Sequence, residues 1–415
     1  MPFPRRLAIP LAFLALAGCD AGPAADDEAP TIVTATDVHV LGTSDSLAVV
    51  EDLAVLDDGT VWVQNSVEPL FLAFDAGHGL VAAHGRHGGG PEELGAPAGF
   101  VAGAPEGEAW ALDRRRHALI RASAPDELWS DVPLPEDAIP RGSVGGGLGY
   151  MSPLVRTALL GDEIILPRRR ALEEVHATRF WTTFWNADLV AFDPATGRVR
   201  VVVPLPEVVG DLDAHFTAVS PGFPPFPFWY RLWAVCGDEI RVHDFVRGQL
   251  RGFAPDGSEL DPVQLPPPPF TRATPRQFVR AVFDLVAAER AGAATAGVGN
   301  MAPEDSVRLI QGAVERLEGT PEQHAAVLPR YVDFRCDEKG TMWLRPMDLE
   351  AGGMAGSATW LRIDRDGGVR EVRFPERFDP YRFQGGKVWG VVRDELDVAS
   401  VGWVEAPGDT ESVRR

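Results

Sequence analysis

Four stretches carry side chains whose types and spacing could do chemistry. His84 and His87 stand three apart, a separation at which two imidazoles can share a metal ion, but no third ligand follows nearby. Around them runs Gly85-Arg86-His87-Gly88-Gly89-Gly90-Pro91-Glu92-Glu93-Leu94. A glycine-rich loop cradles phosphate where it leads from a strand into a helix N-terminus. Here it leads into another strand-like run, so the expectation is a tight crossover in which glycine lets backbones approach closely. Arg168-Arg169-Arg170 could gather an anion, although three adjacent arginines usually mark a solvated turn. Pro221–Trp233 (PGFPPFPFWYRLW) is aromatic and proline-rich; Phe223, Phe226, Phe228, Trp229 and Tyr230 form a binding patch if exposed and a cap on the interior if buried. For catalysis there is no Gly-x-Ser-x-Gly nucleophile elbow. Asn is scarce (Asn65, Asn186, Asn300), and no triplet of oxygen ligands is read as recurring at one blade position. No catalytic residue, metal ligand or cofactor is assigned.

The elements that must position these residues are read most clearly in Glu51–Leu94. Strand-like runs at Leu53–Leu56, Thr60–Gln64, Leu70–Phe74 and Leu80–His84 are punctuated by Asp57-Asp58-Gly59 and Asp75-Ala76-Gly77. Asp-Gly between alternating apolar residues is a hairpin signal, because glycine takes positive φ without steric cost. Four short antiparallel strands in about 40 residues make one β-propeller blade. The central hairpin recurs at Asp57–Val63, Pro105–Leu112, Leu160–Pro167, Cys236–His243, Asp337–Leu344 and Gln384–Val391, with its glycine at 59, 107, 161, 237, 340 and 386. Blades are expected over Leu47–His87, Glu92–Pro135, Tyr150–Pro206, His215–Pro267, Val327–Pro375 and Phe378–Ala406. The last is a strand short, and Thr31–Val40 (TIVTATDVHV) would supply it and close the ring, removing an exposed edge. Trp62, Trp110, Trp343 and Trp389 fall on the hairpin strands and read as core.

Two segments depart from the repeat. Residues 274–318 read as helical, between blades four and five: Thr274, Pro275 and Gln277 form a capping box ahead of Val279, Val282, Phe283 and Val286. A second apolar stripe runs through Val307, Ile310, Val314 and Leu317. At the N-terminus Arg5-Arg6 precede an apolar run, Leu7–Ala17, too short for a comfortable membrane span. It ends in Leu16-Ala17-Gly18-Cys19, which resembles the bacterial lipobox and implies acylation of Cys19 after removal of residues 1–18. Acyl chains partition into a bilayer at ~0.8 kcal/mol per buried CH₂. Residues 19–30 then form an acidic tether, 31–406 the propeller and 407–415 a tail. Cys236 and Cys336 sit at comparable places before their hairpin turns. Two buried free thiols are the expected state, although an exported compartment also permits a disulfide between them.

Composition bounds the partners. The chain has 415 residues, 45% hydrophobic, with 43 Gly and 36 Pro, which suits many turns around a sizeable core. Its formal charge of −21 repels phosphate backbones, so nucleic acid is not expected as a partner.

The segment Gly85–Leu94 resembles the G-R-x-G-x-G-P-G-E-F run of bacterial six-bladed, NHL-like β-propeller proteins, many of them exported or lipid-anchored. Tyr331-Val332-Asp333 through Leu344, Phe374–Phe378 and Val391–Val398 resemble that family's closing blades, while Glu92 and Leu94 depart from it. The resemblance implies architecture and no reaction. The expected role is a non-catalytic binding or scaffold protein at the cell envelope, held to a membrane by its lipid and meeting an envelope protein or a small ligand. The alternative is a lactonase- or esterase-like hydrolase using Ca²⁺ or Zn²⁺ in the central channel.

Overall fold

The computed structural model describes residues 31–42, 47, 50–77, 79–90, 93–95, 97–113, 115–122, 130–135, 156–169, 187–204, 232–244, 247–266, 331–346 and 358–407. These form an all-β, six-bladed propeller. Blade one is Val50–Val55, Val61–Asn65, Phe71–Phe74 and Leu80–His84, each strand antiparallel to the next. Blades two to five begin with inner strands Pro97–Phe100, Ala158–Leu160, Trp233–Cys236 and Tyr331–Cys336. Blade six is Phe378–Gln384, Lys387–Arg393 and Ala399–Glu405, with His39–Gly42 antiparallel to its third strand as the outer one. The run expected as one strand over Thr31–Val40 is split: Thr31–Thr34 instead lies parallel to Val369–Arg373 as a fifth strand on blade five. A propeller blade twists strongly, and four residues, 35–38, separate the two pairings. All elements among the described residues are strands. The helical reading of 274–318 lies outside the described residues.

Period-two alternation explains the core. Val61–Asn65 and Phe71–Phe74 are buried at every position, because both faces of a middle strand meet a neighbouring blade. Trp62, with no exposure, packs with Phe71, Phe100 and Ala109 against blade two, while Val61 and Val63 pack with Trp389 and Val401 of blade six. Six such clusters, one per pair of consecutive blades, complete the ring. The outer strand Leu80–His84 is the exposed one of the blade, with Ala82 and His84 half-buried against the blade one–two core and Leu80, Val81 and Ala83 exposed.

The six glycines of the hairpin repeat all take positive φ in the turns between inner and second strands. Since strands alternate in direction, those turns occupy one face of the ring. The described ends bounding 136–155, 170–186, 205–231, 267–330 and 347–357 all lie on the other. Gly390 acts differently, by close approach. A Cβ there would stand 2.2 Å from the Asp379 carbonyl oxygen and 2.8 Å from Phe378 Cζ, so the inner strand of blade six would have to move. We expect Gly390→Val to lose about 1–3 kcal/mol by denaturant unfolding, the usual cost of overpacking; unchanged stability would show that the strand yields freely.

A charged layer in the channel

The inner strands line the channel, and four of them carry register shifts: one lies between Pro97 and Phe100 in blade two, and three are at Glu51 in blade one, Val332 in blade five and Tyr381 in blade six, each just ahead of a charged residue. A β-bulge re-aims the side chain that follows it. The residues that follow are Asp52, Asp333 and Arg382. With Arg156, just ahead of the inner strand of blade three, and Arg335, they make a layer of charge across the channel.

Every polar atom of the two carboxylates is occupied. Asp52 accepts the N–H of Leu53 at 2.9 Å and of Phe100 in blade two at 2.8 Å. Its Oδ2 also takes Nη2 of Arg382 at 3.2 Å. Asp333 accepts the Phe334 N–H at 2.6 Å, Nη2 of Arg156 at 2.7 Å, and Nε of Arg335 at 3.2 Å. Arg156 further donates to the Phe334 carbonyl at 2.8 Å, and Arg382 to the Leu53 and Phe100 carbonyls. Arg335 differs: apart from Nε, its nearest anionic contact is Nη1 at 3.9 Å from Asp52 Oδ1, beyond hydrogen-bond reach. The side chains are 12–18% exposed. Tyr381, on the bulge, donates to the Val50 carbonyl at 2.9 Å and ties blade six to blade one.

Three guanidiniums pair with two carboxylates, and burial is the largest influence on the proton affinity of each guanidinium. Burial, with Arg335 as a like-charged neighbour, brings Arg156 down to about 10. Burial also lowers Arg382. It works against the charged form of Arg335 too, yet Asp333 and Asp52 together raise that group. Burial opposes ionisation of Asp333, but Arg156 and Arg335 outweigh it and hold its carboxyl well below the usual range.

From this layer a cavity of about 420 Å³ runs to the hairpin-turn face, lined by inner-strand residues of all six blades. Asp52, Arg156, Arg335 and Arg382 form its charged end; Asp57, Glu108, Asp337 and Glu338 stand toward the turns. Glu108 accepts the Trp110 indole N–H, Asp337 caps its own turn, and Glu338 accepts the Gly385 N–H at 2.9 Å. Asp57 is exposed.

The residues singled out from sequence fall elsewhere. Cys19, Arg170, Phe223, Phe226, Phe228, Trp229 and Tyr230 lie outside the described residues. Arg168 and Arg169 continue the second strand of blade three, opposite Asp188 and Ala187, rather than forming a solvated turn. The apolar stretch before them extends the pairing, and strand partners take up the backbone a turn would leave to water. Cys236 and Cys336 are joined in a disulfide rather than left as free thiols, with Cα atoms 5.1 Å apart. The four hairpin tryptophans are buried. The glycine loop holds an anion of its own: Glu93 Oε2 accepts the N–H groups of Gly89 at 2.9 Å and Gly90 at 2.8 Å, while Oε1 pairs with Arg86. These backbone bonds lower the Glu93 carboxyl, and they occupy the donors a phosphate would need.

The sequence reading missed the channel layer and also a recurrence. Asp52, Asp333 and Asp379 each stand seven residues ahead of a hairpin glycine, at 59, 340 and 386. They could have supplied three oxygen ligands, but the bulges fall differently and part them. Asp379 precedes its bulge and pairs with Arg345 at 2.8 Å, away from the cavity. Among the described residues no three His, Cys, Asp or Glu side chains converge to hold a metal. A dication placed on Asp52 or Asp333 would stand against guanidiniums. The channel residues described do not fit the Ca²⁺ or Zn²⁺ of a metal-dependent hydrolase.

No family model and no curated protein matches the chain. Among solved structures, a member of the DUF4221 family from Bacteroides vulgatus is similar at 10% identity, covering 89% of this chain and 96% of that one, with TM-score 0.51. Virginiamycin B lyase from Staphylococcus aureus aligns at 9% identity over 90% and 89% of the chains, with TM-score 0.38. A gluconolactonase from Xanthomonas campestris aligns at 10% over 89% of both, with TM-score 0.42. At these identities the first likeness speaks for the fold alone.

Proposed function

We propose that this six-bladed propeller is an exported, lipid-anchored binding or scaffold protein of the bacterial cell envelope, with no chemistry of its own. The observation that carries the binding half is the channel: six inner strands converge on one cavity, and both of its buried carboxylates are held by guanidiniums and backbone N–H groups. Carboxylates whose oxygens are so occupied are poorly placed to ligate a metal, whereas a charge-lined cavity is suited to recognition. The export and anchoring half is supported by Arg5-Arg6, the apolar run to Ala17 and Cys19 in its Leu-Ala-Gly-Cys setting. The partners are a membrane, through the acyl chains, and an envelope protein or small ligand.

Metabolic labelling with a clickable fatty acid tests the anchor. The wild-type chain should take up label and sediment with membranes, and Cys19→Ser should do neither. An unlabelled, freely soluble wild type would overturn the anchored reading. Elemental analysis of the purified protein tests the binding half: about one Ca²⁺ or Zn²⁺ per chain, with chelator-sensitive ester or lactone hydrolysis, would replace it with the hydrolase reading.

A further inference from the structure

We propose that the channel cavity binds the carboxylate of a small monocarboxylic compound, seated on the unengaged terminal fork of Arg335 between Arg156 and Arg382. This rests on the binding reading above and names its ligand class.

Three features of the site converge on that chemistry. The first is stoichiometry. Arg156, Arg335 and Arg382 form ion pairs only with Asp52 and Asp333 among the described side chains, so three guanidiniums share two paired carboxylates; Glu51, next to Asp52, pairs with none of them. Among the described residues no other carboxylate forms an ion pair with these three arginines. One unmatched cation calls for one anionic charge.

The second is geometry. Arg156 and Arg382 use their terminal nitrogens on Asp333, Asp52 and main-chain carbonyls. Arg335 hydrogen-bonds Asp333 through Nε, and its Nη1 stops 3.9 Å short of Asp52. A guanidinium offers paired, coplanar donors that match the two oxygens of a carboxylate. Arg335 lines the cavity wall, so that face is where a ligand can reach it. An anion seated there would also offset the Arg335 charge, which after burial is what lowers Arg156.

The third is the far end of the cavity. Asp57, Glu108, Asp337 and Glu338 lie between the arginines and the hairpin-turn face. They repel a second negative charge on the same ligand, so dicarboxylates and phosphate are disfavoured while an uncharged or cationic remainder is accepted.

Calorimetric titration of the detergent-solubilised full chain at constant ionic strength tests this with 4-hydroxybutyrate, succinate and inorganic phosphate as probes. We expect saturable one-to-one binding of 4-hydroxybutyrate, with succinate and phosphate at least about tenfold weaker. Arg335→Met should weaken 4-hydroxybutyrate binding by about ten- to a hundredfold, the range for a lost charge-assisted contact. Asp57→Asn, on an exposed turn, should narrow the preference for 4-hydroxybutyrate over succinate, and it keeps the test decisive if Arg335→Met does not fold. Absence of saturable binding into the tens of millimolar overturns the proposal, as does undiminished binding by Arg335→Met. Phosphate or succinate binding as well as 4-hydroxybutyrate, or a preference untouched by Asp57→Asn, overturns it too. A labelled, membrane-bound protein with an inert channel would sink this proposal and leave the anchored reading intact.

Discussion

Asp333→Asn should destabilise the propeller by about 3–5 kcal/mol, the cost of leaving buried charges without their partner. The substitution keeps shape and removes charge, so its effect is electrostatic. Asp333 holds Arg156 at 2.7 Å and Arg335 at 3.2 Å, with 16% of its side chain exposed. Without it, three guanidiniums share Asp52 alone, and Arg156, already brought down to about 10, falls further. The pH dependence follows from the sign of the Asp333 shift. Its folded carboxyl lies below its unfolded value of about 3.9, so its contribution is fully present above that pH and is lost as pH falls through the folded value. The wild type therefore keeps this contribution at neutral pH. The gap between wild type and variant should be flat from pH 8 to pH 5 and close only in acid. Urea unfolding at a series of pH values reads it; a gap below about 1 kcal/mol at pH 7 would mean that water, rather than Asp333, carries the arginines.

The architecture was legible in the sequence because propeller turns are chemically specific. Each blade must reverse direction in a short turn, and glycine at positive φ is the inexpensive way to do it, so Gly59, Gly107, Gly161, Gly237, Gly340 and Gly386 mark the six inner hairpins. The tryptophans at Trp62, Trp110, Trp343 and Trp389 sit on the strands just beyond, where a blade is thickest. The channel layer was hidden for a different reason. Asp52, Asp333 and Arg382 lie at positions that simple alternation sends toward a blade interface, and only a one-residue shift turns them into the channel. A bulge leaves little trace in a single sequence, because the extra residue (Glu51, Val332, Tyr381) can be of any type. The sign that could have been read was charge: an apolar strand such as Tyr331–Cys336, YVDFRC, tolerates Asp and Arg only if they find each other. Asp333 and Arg335 meet within that strand, but Arg156 pairs with Asp333 and Arg382 with Asp52 from blades far apart in sequence, so no local window contains those two pairs.

Replacing both Cys236 and Cys336 by Ser should remove about 2–5 kcal/mol, the usual range for a native disulfide, with a 100-residue loop near the top of it. The bridge spans a sequence separation of 100 and joins the last residues of the inner strands of blades four and five. Its position argues for the upper part of the range. Elsewhere around the ring, successive inner strands are connected through shorter sequence; here residues 267–330 intervene between the outer strand of blade four and the inner strand of blade five. In the unfolded chain that interval is free to wander, and the bridge removes that freedom. Folded, it fixes Cys336 beside blade four, and Cys336 directly follows Arg335. Reduction should therefore act twice, lowering the unfolding free energy and loosening the residue on which carboxylate binding depends. Thermal melts with and without a thiol reductant separate oxidised from reduced wild type, and the double serine variant should coincide with the latter. If oxidised and reduced wild type melt together, the bridge contributes nothing, and the inner strands of blades four and five are held by Leu232, Leu250, Phe334 and Leu344 in their shared core alone.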